Sequence, residues 1–276
     1  MKFNIDFYKY RNVAYIFSAI LLISSVSLFL FKNLNLGIDF KGGIMIEAKF
    51  NNPPNLTELR NKITNLSIGN SEIQEFGDPT NILIRIEKQS NDDVNQKEII
   101  KKLKDSLSQD IDYRRTEFVG PKVGKELTIM GIKAISFSLL AMFAYIWFRF
   151  SGWQFGLGAL IALFHDVIST IGFFSFSQIE FNLASIAAIL TIAGYSINDT
   201  VVVFDRVREN LIKTTKDTEV NFSKLLNVSI NQTLSRTIMT SLTTLLALLA
   251  LYIFGGEVVR GFVSAMIWGV LIGTYS

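Results

Sequence analysis

Apolar residues in this chain gather in six long runs, at about 13–31, 127–148, 155–176, 181–204, 237–254 and 258–275. The second is interrupted only by Lys133. Crossing about 30 Å of hydrocarbon takes roughly 17–25 residues of helix, and the runs fit that length. The pattern predicts six transmembrane helices. The first run follows Lys2, Lys9 and Arg11 and so resembles a secretory signal. Its uninterrupted length, with no small-x-small cleavage site before Gly37, favours an uncleaved anchor. The last run ends at Ser276 with no polar tail, so either the sequence stops short or the sixth helix is short.

Between the first two runs lies a polar block, about 32–126, with a different periodicity. Residues 43–50 alternate as a strand does. Residues 55–66 read as a helix, with Pro53 and Pro54 ahead of it and Asn55 as N-cap. Strands are predicted at 72–76 and 81–87 around a Gly77-Asp78-Pro79 turn. Residues 93–107 carry Val94, Ile99, Ile100, Leu103 and Leu107 at helical spacing, and 111–119 supplies a last strand. The order β-α-β-β-α-β is that of a ferredoxin-like domain, a topology that names no function by itself.

Composition agrees with a membrane protein: of 276 residues, 49% are hydrophobic and 23 are Phe. Orientation follows from the basic residues of the short loops. The amino terminus and Arg149 are basic, as is the stretch holding Arg206, Arg208, Lys213, Lys216, Lys224 and Arg236. Residues 177–180 have no basic residue, and 255–261 have only Arg260. The amino terminus and both basic loops are therefore expected in the cytoplasm and the polar block outside. The chain has no cysteine and a single histidine, His165, so neither a disulfide nor a Cys/His metal set is expected. No Walker-type loop or nucleophile elbow is present, and Gly37-Ile38-Asp39-Phe40-Lys41-Gly42-Gly43 lacks the Lys-Ser/Thr ending of the former. The expectation is a protein that is not an enzyme, holds no cofactor and binds no nucleic acid.

Candidate chemistry sits inside the membrane runs. Asp199, in the fourth run, is costly there by roughly 2.5–3.5 kcal/mol, which marks a functional acid or one with a partner. Arg236 opens the fifth run at a comparable depth. The two are read either as a proton relay or as a structural ion pair. An Arg that withdraws lets the acid take up a proton, and its return expels one. His165-Asp166 lies near the middle of the third run. Adjacent residues point about 100° apart, so the two should not share one partner. A helix-packing or intersubunit hydrogen bond is the favoured reading, with a place in the proton path as the other. Lys133 is expected to snorkel. Phe222, Leu225, Leu226, Ile230 and Leu234 predict an amphipathic helix at the cytoplasmic interface, or an elbow that orients helix five. Residues 37–43 and 120–124 read as hinges or tight turns beside the outer domain.

Three motifs carry a resemblance over essentially the whole chain. One is the glycine-rich segment 37–43. The second is Phe118-Val119-Gly120-Pro121-Lys122-Val123-Gly124-Lys125-Glu126-Leu127. The third is Gly194-Tyr195-Ser196-Ile197-Asn198-Asp199-Thr200-Val201-Val202-Val203-Phe204, running on to Asn210. Together they resemble the SecD/SecF family of protein-export membrane subunits, on the SecF side, within the resistance-nodulation-division type of proton-driven transporters.

The resemblance implies pairing with SecD, association with the SecYEG channel, and use of the proton-motive force to promote late steps of polypeptide export. Unfolded precursors, protons and the lipid bilayer are then the other partners. It assigns Asp199 and Arg236 to proton passage, and Thr240, one turn after Arg236, is counted as a further lining residue. The expected architecture is an α-helical polytopic membrane protein with a ferredoxin-like extracytoplasmic domain between helices 1 and 2. Residues 1–31 hold the cytoplasmic amino terminus and helix 1, 32–126 the periplasmic domain, and 127–276 helices 2–6 with a cytoplasmic loop at 205–236. The expected location is the bacterial inner membrane. Two rivals are half of a proton-driven exporter of small molecules or lipids, and a structural scaffold of the channel.

Overall fold

The two periodicities of the sequence, continuous apolar runs and period-two alternation, produce two kinds of element in the computed structural model. In chain order these are α1 (Arg11–Lys32), α2 (Ile38–Lys41), β1 (Gly43–Lys49), α3 (Leu56–Asn65), β2 (Ser71–Phe76), β3 (Asp78–Ile86), α4 (Val94–Ser106), β4 (Asp112–Val119), α5 (Pro121–Phe150), α6 (Trp153–Ser177), α7 (Leu183–Thr214), α8 (Phe222–Phe254) and α9 (Glu257–Tyr275). The structure describes residues 4–66, 68, 71–86, 94–107, 111–150, 152–214 and 221–276. Lys2 and Lys216, and the expected element ends at Glu87 and Asp93, lie outside the described residues. Two units are distinguished, Leu36–Ile132 and a helical unit of Met1–Asn35 with Lys133–Ser276.

The first unit is built on alternation. Its four strands pair antiparallel in the order β2-β3-β1-β4. Ile46 on β1 lies opposite Ile84 on β3, and Ile84 opposite Ile73 on β2, so one sheet face is a continuous aliphatic layer. Leu59 and Ile63 of α3 and Leu103 of α4 cover it, in a core that also takes in Ile44, Ala48, Ile82 and Ile86. Asn55 caps α3 as expected, its side-chain oxygen accepting from the amides of Thr57 at 3.0 Å and Glu58 at 3.4 Å. Losing that cap costs about 1 kcal/mol. Asn55→Ala should therefore speed hydrogen exchange of the first-turn amides of α3 by about fivefold, with the core strands unchanged. In the β2–β3 turn, the Thr80 amide and hydroxyl donate to Asp78, both at 3.0 Å, and hold its carboxyl below the usual carboxylate range.

Both glycine segments read as hinges are ordered differently. Residues 38–41 form the single turn α2, followed by Gly42 and Gly43 with φ of 74° and 135°, values that favour glycine. Residues 121–124 are the first turn of α5. A Cβ on Gly124 would lie 2.9 Å from the Phe40 carbonyl oxygen, so this glycine lets the helix approach the α2 backbone rather than bend.

Six helices, α1 and α5 to α9, are long and apolar enough to cross a membrane, and the chain is a multi-pass membrane protein. Exposed Phe31, Phe148 and Phe254 present apolar surface where a soluble protein would not. Within the bundle α1 lies along α6, tied by Ser175 Oγ donating to the carbonyls of Leu28 at 2.8 Å and Asn33 at 2.9 Å. Near the opposite end of α6, Phe150, Phe155 and Phe204 join α5, α6 and α7 in one aromatic cluster.

The expected interfacial helix at 222–234 is not a separate element. Those residues are the opening turns of α8, because neither Gly nor Pro interrupts 222–254. At 33 residues α8 is about 50 Å long, well over the roughly 30 Å of hydrocarbon. Its polar opening face is engaged instead by α7 and by the amino-terminal strap. Asn210 of α7 donates to Ser229 Oγ at 2.9 Å and to Gln232 Oε1 at 3.0 Å. The Asn231 amide bonds both backbone groups of Ile5, at 2.9 and 2.7 Å.

Candidate functional site

Helix α9 sets the geometry of the polar site through two small residues one turn apart. A Cβ on Gly269 would overlap the Ile192 side chain, and one on Gly273 would lie 3.1 Å from Ser196 Cβ and 3.5 Å from Asp166 Oδ2. Such small-residue stripes let membrane helices approach closely. The approach brings α9 against α7 and α6 at the level of their acids.

Asp166 on α6 is fully buried. Its Oδ2 accepts from Ser196 Oγ of α7 at 2.6 Å and from Ser276 Oγ at 2.9 Å, while Oδ1 lies 3.0 Å from His165 Nδ1. One carboxyl thus joins α6, α7 and the end of α9. The expectation that the two would not share one partner stands, and the contact between them is an addition to it. Their helical directions diverge, but the imidazole reaches sideways far enough to touch the acid directly. His165 is 7% exposed and its Nε2 has no hydrogen-bond partner.

Asp199, three residues beyond Ser196, is 6% exposed, and neither of its carboxyl oxygens has a hydrogen-bond partner among the described residues. Arg236 on α8 does not form the ion pair that was one reading of these two residues. Its side chain is exposed and acts on Asp199 only through its field. Thr240 does not reach Asp199 either, because its hydroxyl donates to the carbonyls of Arg236 at 3.1 Å and Thr237 at 2.9 Å within α8. The helix backbone competes successfully for a threonine hydroxyl in an apolar setting.

A second hydroxyl line joins α7, α8 and α9. Tyr195 donates to Ser241 at 3.2 Å and Ser241 pairs with Thr274 at 2.7 Å, while Trp268 Nε1 separately ties α9 to α6 by donating to Ser169 at 3.0 Å. Sequence reasoning missed Ser196, Ser241, Thr274 and Ser276. A usable signal existed for Ser196, which stands three residues before Asp199 and so shares its helix face. Among the described residues, no three His, Cys, Asp or Glu side chains converge as a metal ion would need. Lys133 is exposed.

Six spans with two buried acids in their polar centre, and a small α+β unit inserted after the first span, define a multi-pass membrane protein with ionisable groups at membrane depth. The chain belongs to the SecD/SecF family. The model for the protein export membrane protein SecD/SecF C-terminal region matches residues 99–276, and that for the SecD/SecF GG motif matches 27–54. Protein translocase subunit SecF of Rickettsia rickettsii is 47% identical over all of this chain and 89% of its own length. The SecF of Rickettsia felis is likewise 47% identical, over the same shares. The crystal structure of SecDF from Thermus thermophilus, a translocon-associated membrane protein, superposes with a TM-score of 0.85 at 34% identity, and this chain spans 37% of its length. SecDF in a super-membrane-facing form gives a TM-score of 0.68 at the same identity and coverage.

Proposed function

We propose that this chain is a SecF-type subunit of the Sec protein translocase that works beside a SecD-type partner. With that partner it draws on the proton-motive force to promote late steps of polypeptide export across the bacterial inner membrane. The observation that carries the proton-driven reading is Asp199, a buried carboxyl with no hydrogen-bond partner in a membrane-spanning helix. Such a group is expensive unless it changes charge as part of its work. Arg236, exposed on α8 and acting at a distance, is the group whose movement would gate it, and Thr240 lines the same helix face.

On this reading the amino terminus and the α7–α8 stem are cytoplasmic, which the basic residues of both support. The Leu36–Ile132 unit is then extracytoplasmic. Its element order and its sheet order β2-β3-β1-β4 support a ferredoxin-like domain. The chain performs no covalent chemistry. Its work is a conformational cycle of the resistance-nodulation-division type, in which the outer unit holds and releases an emerging precursor beside SecYEG.

The test is export of a precursor, timed in cells with and without this chain, before and after a protonophore collapses the gradient. The acceleration that the chain provides should vanish with the gradient. An acceleration that survives collapse would replace the proton-driven reading with that of a channel scaffold. An effect on small molecules or lipids, with precursor export untouched, would favour the exporter.

A further inference from the structure

The function proposed above uses Asp199 and leaves Asp166 and His165 without a role. Asp166 is nevertheless more deeply buried than Asp199, being fully enclosed, and His165 Nε2 is a buried polar atom with no hydrogen-bond partner among the described residues. A packing hydrogen bond between helices needs only hydroxyls, which α8 and α9 already supply through Ser241 and Thr274. An aspartate and an imidazole in contact inside a membrane helix are a costly substitute, and costly intramembrane ionisable pairs mark ion pathways.

Position along the helices gives the pair a direction. Asp166 lies eleven residues from the end of α6 at Ser177, about 16 Å at 1.5 Å per residue. Asp199 lies sixteen residues from the start of α7 at Leu183, about 24 Å deep from the same side. Between them stands Ser196, which donates to Asp166 Oδ2 at 2.6 Å and shares the helix face of Asp199 one turn on. The other titratable neighbours are Asp199 from α7 and Tyr275 from α9. The Tyr275 ring lies 6.2 Å from that of His165, and its hydroxyl is held by Ala14 and Ser18 of α1.

We propose that Asp166, with His165, is a second proton-carrying site, placed on the outer side of Asp199 and connected to it through the Ser196 hydroxyl. The proposal rests on the proton-driven reading of this chain. A proton taken up at His165 Nε2 lets Nδ1 release its own proton to Asp166, leaving a neutral imidazole and a neutral carboxyl. That proton arrives on Oδ1, the oxygen facing His165, so the neutral carboxyl must rotate about its Cβ–Cγ bond to present its O–H to Ser196, whose hydroxyl turns to accept from it. Ser196 receives that proton on Oγ as the Asp199 carboxyl, one turn on and making no hydrogen bond at rest among the described residues, turns to Oγ and takes its original one, so one proton enters, one leaves and the hydroxyl is conserved. Imidazole tautomer exchange resets the first step. The geometry explains two otherwise idle features at once, the unpartnered Nε2 that receives and the unpartnered Asp199 carboxyl that collects.

The experiment is infrared difference spectroscopy of carboxyl C=O bands across a pH titration, on the chain in complex with its SecD-type partner in lipid, with proton uptake measured on the same samples. Asp199→Asn should remove one titrating band, and Asp166→Asn a different one, each with the loss of one proton taken up per complex. Ser196→Ala leaves both acids in place and covers the case in which Asp166→Asn fails to assemble. It should move the Asp166 band to higher frequency, because the neutral carboxyl loses the Ser196 oxygen that its O–H bonds, and slow uptake at Asp199 at least tenfold. If Asp166→Asn removes no band, or Ser196→Ala shifts none, the second site is overturned while the Asp199 reading stands. If Asp199→Asn also leaves bands and uptake unchanged, the proton-driven reading fails and the second site with it.

Discussion

Asp199→Asn is expected to reduce the chain's contribution to precursor export to the level of cells that lack the chain, while leaving the protein as stable as before or more so. The two effects have opposite signs for one reason. The carboxyl is 6% exposed, and neither oxygen is hydrogen-bonded. Its presence in a membrane helix costs roughly 2.5–3.5 kcal/mol on insertion-based scales, and a neutral amide of the same shape relieves part of that cost. A structural acid behaves the other way, since removing one member of a satisfied pair strands its partner. Thermal unfolding in detergent, retention of the SecD-type partner and export rate, measured on one preparation, separate the cases. A lower melting temperature with normal export would make Asp199 a structural residue. A raised or unchanged melting temperature with lost export is the signature of a group kept for function at the expense of stability. Arg236 sharpens the comparison. Exposed and without contact to the acid, it can be replaced by Lys with little change in melting temperature, so any export defect in Arg236→Lys reports the gating role alone.

The sequence exposed the elements of this fold well because its periodicities are strong. Six runs of apolar residues could only be spanning helices, and the alternation of Ile44, Ile46 and Ala48 against Ile82, Ile84 and Ile86 could only be a sheet with one aliphatic face. Asn55 was legible as a cap because backbone amides two and three residues downstream of a helix cap wait for an acceptor. Less legible was where helices end when their ends leave the bilayer. Between Phe204 and Thr214, and again from Phe222 to Arg236, composition turns polar while the backbone stays helical, since polar residues without Gly or Pro do not stop a helix. Gly124 misled for a different reason. Glycine marks either flexibility or close approach, and only the 2.9 Å separation from the Phe40 carbonyl distinguishes them.

The candidate site was half legible. Asp199 and Asp166 announce themselves by charge in an apolar run, whatever their surroundings. The partners of Asp166 are tertiary facts: Ser196 is an ordinary helix residue, and Ser276 merely follows α9, until Gly269 and Gly273 let α9 close on α7. The expected Asp199–Arg236 contact was inferred from shared depth along neighbouring helices. Depth fixes height but not the direction a side chain takes around the helix axis, and Arg236 turns outward.

Gly172→Leu is expected to detach α1 from the bundle. Helix α1 is apolar on all sides, and its one buried residue, Ser25, is 4% exposed because it faces Gly172 of α6. A Cβ at 172 would overlap the Ser25 side chain and lie 2.7 Å from its Cα, a backbone atom that cannot rotate away. Small residues hold membrane helices together because the hydrophobic effect between them is absent and contact distance decides. The bonds along this seam depend on the same approach. They include Ser175 to the Leu28 carbonyl at 2.8 Å and Lys32 to the Phe176 carbonyl at 3.0 Å. Overpacking alone costs about 1–3 kcal/mol, and separation loses these bonds as well. The expected readouts are a lowered melting temperature in detergent and proteolytic release of an amino-terminal fragment carrying α1. A swap across the interface tests the cause. Gly172→Ala should be destabilising, and adding Ser25→Gly should recover part of the loss by removing the Oγ and Cβ that the new methyl meets. Recovery must stay partial, because the Ser25 Cα remains 2.7 Å from the added carbon. If the double variant is no more stable than Gly172→Ala alone, the two helices do not meet at this pair, and the seam lies elsewhere along α1.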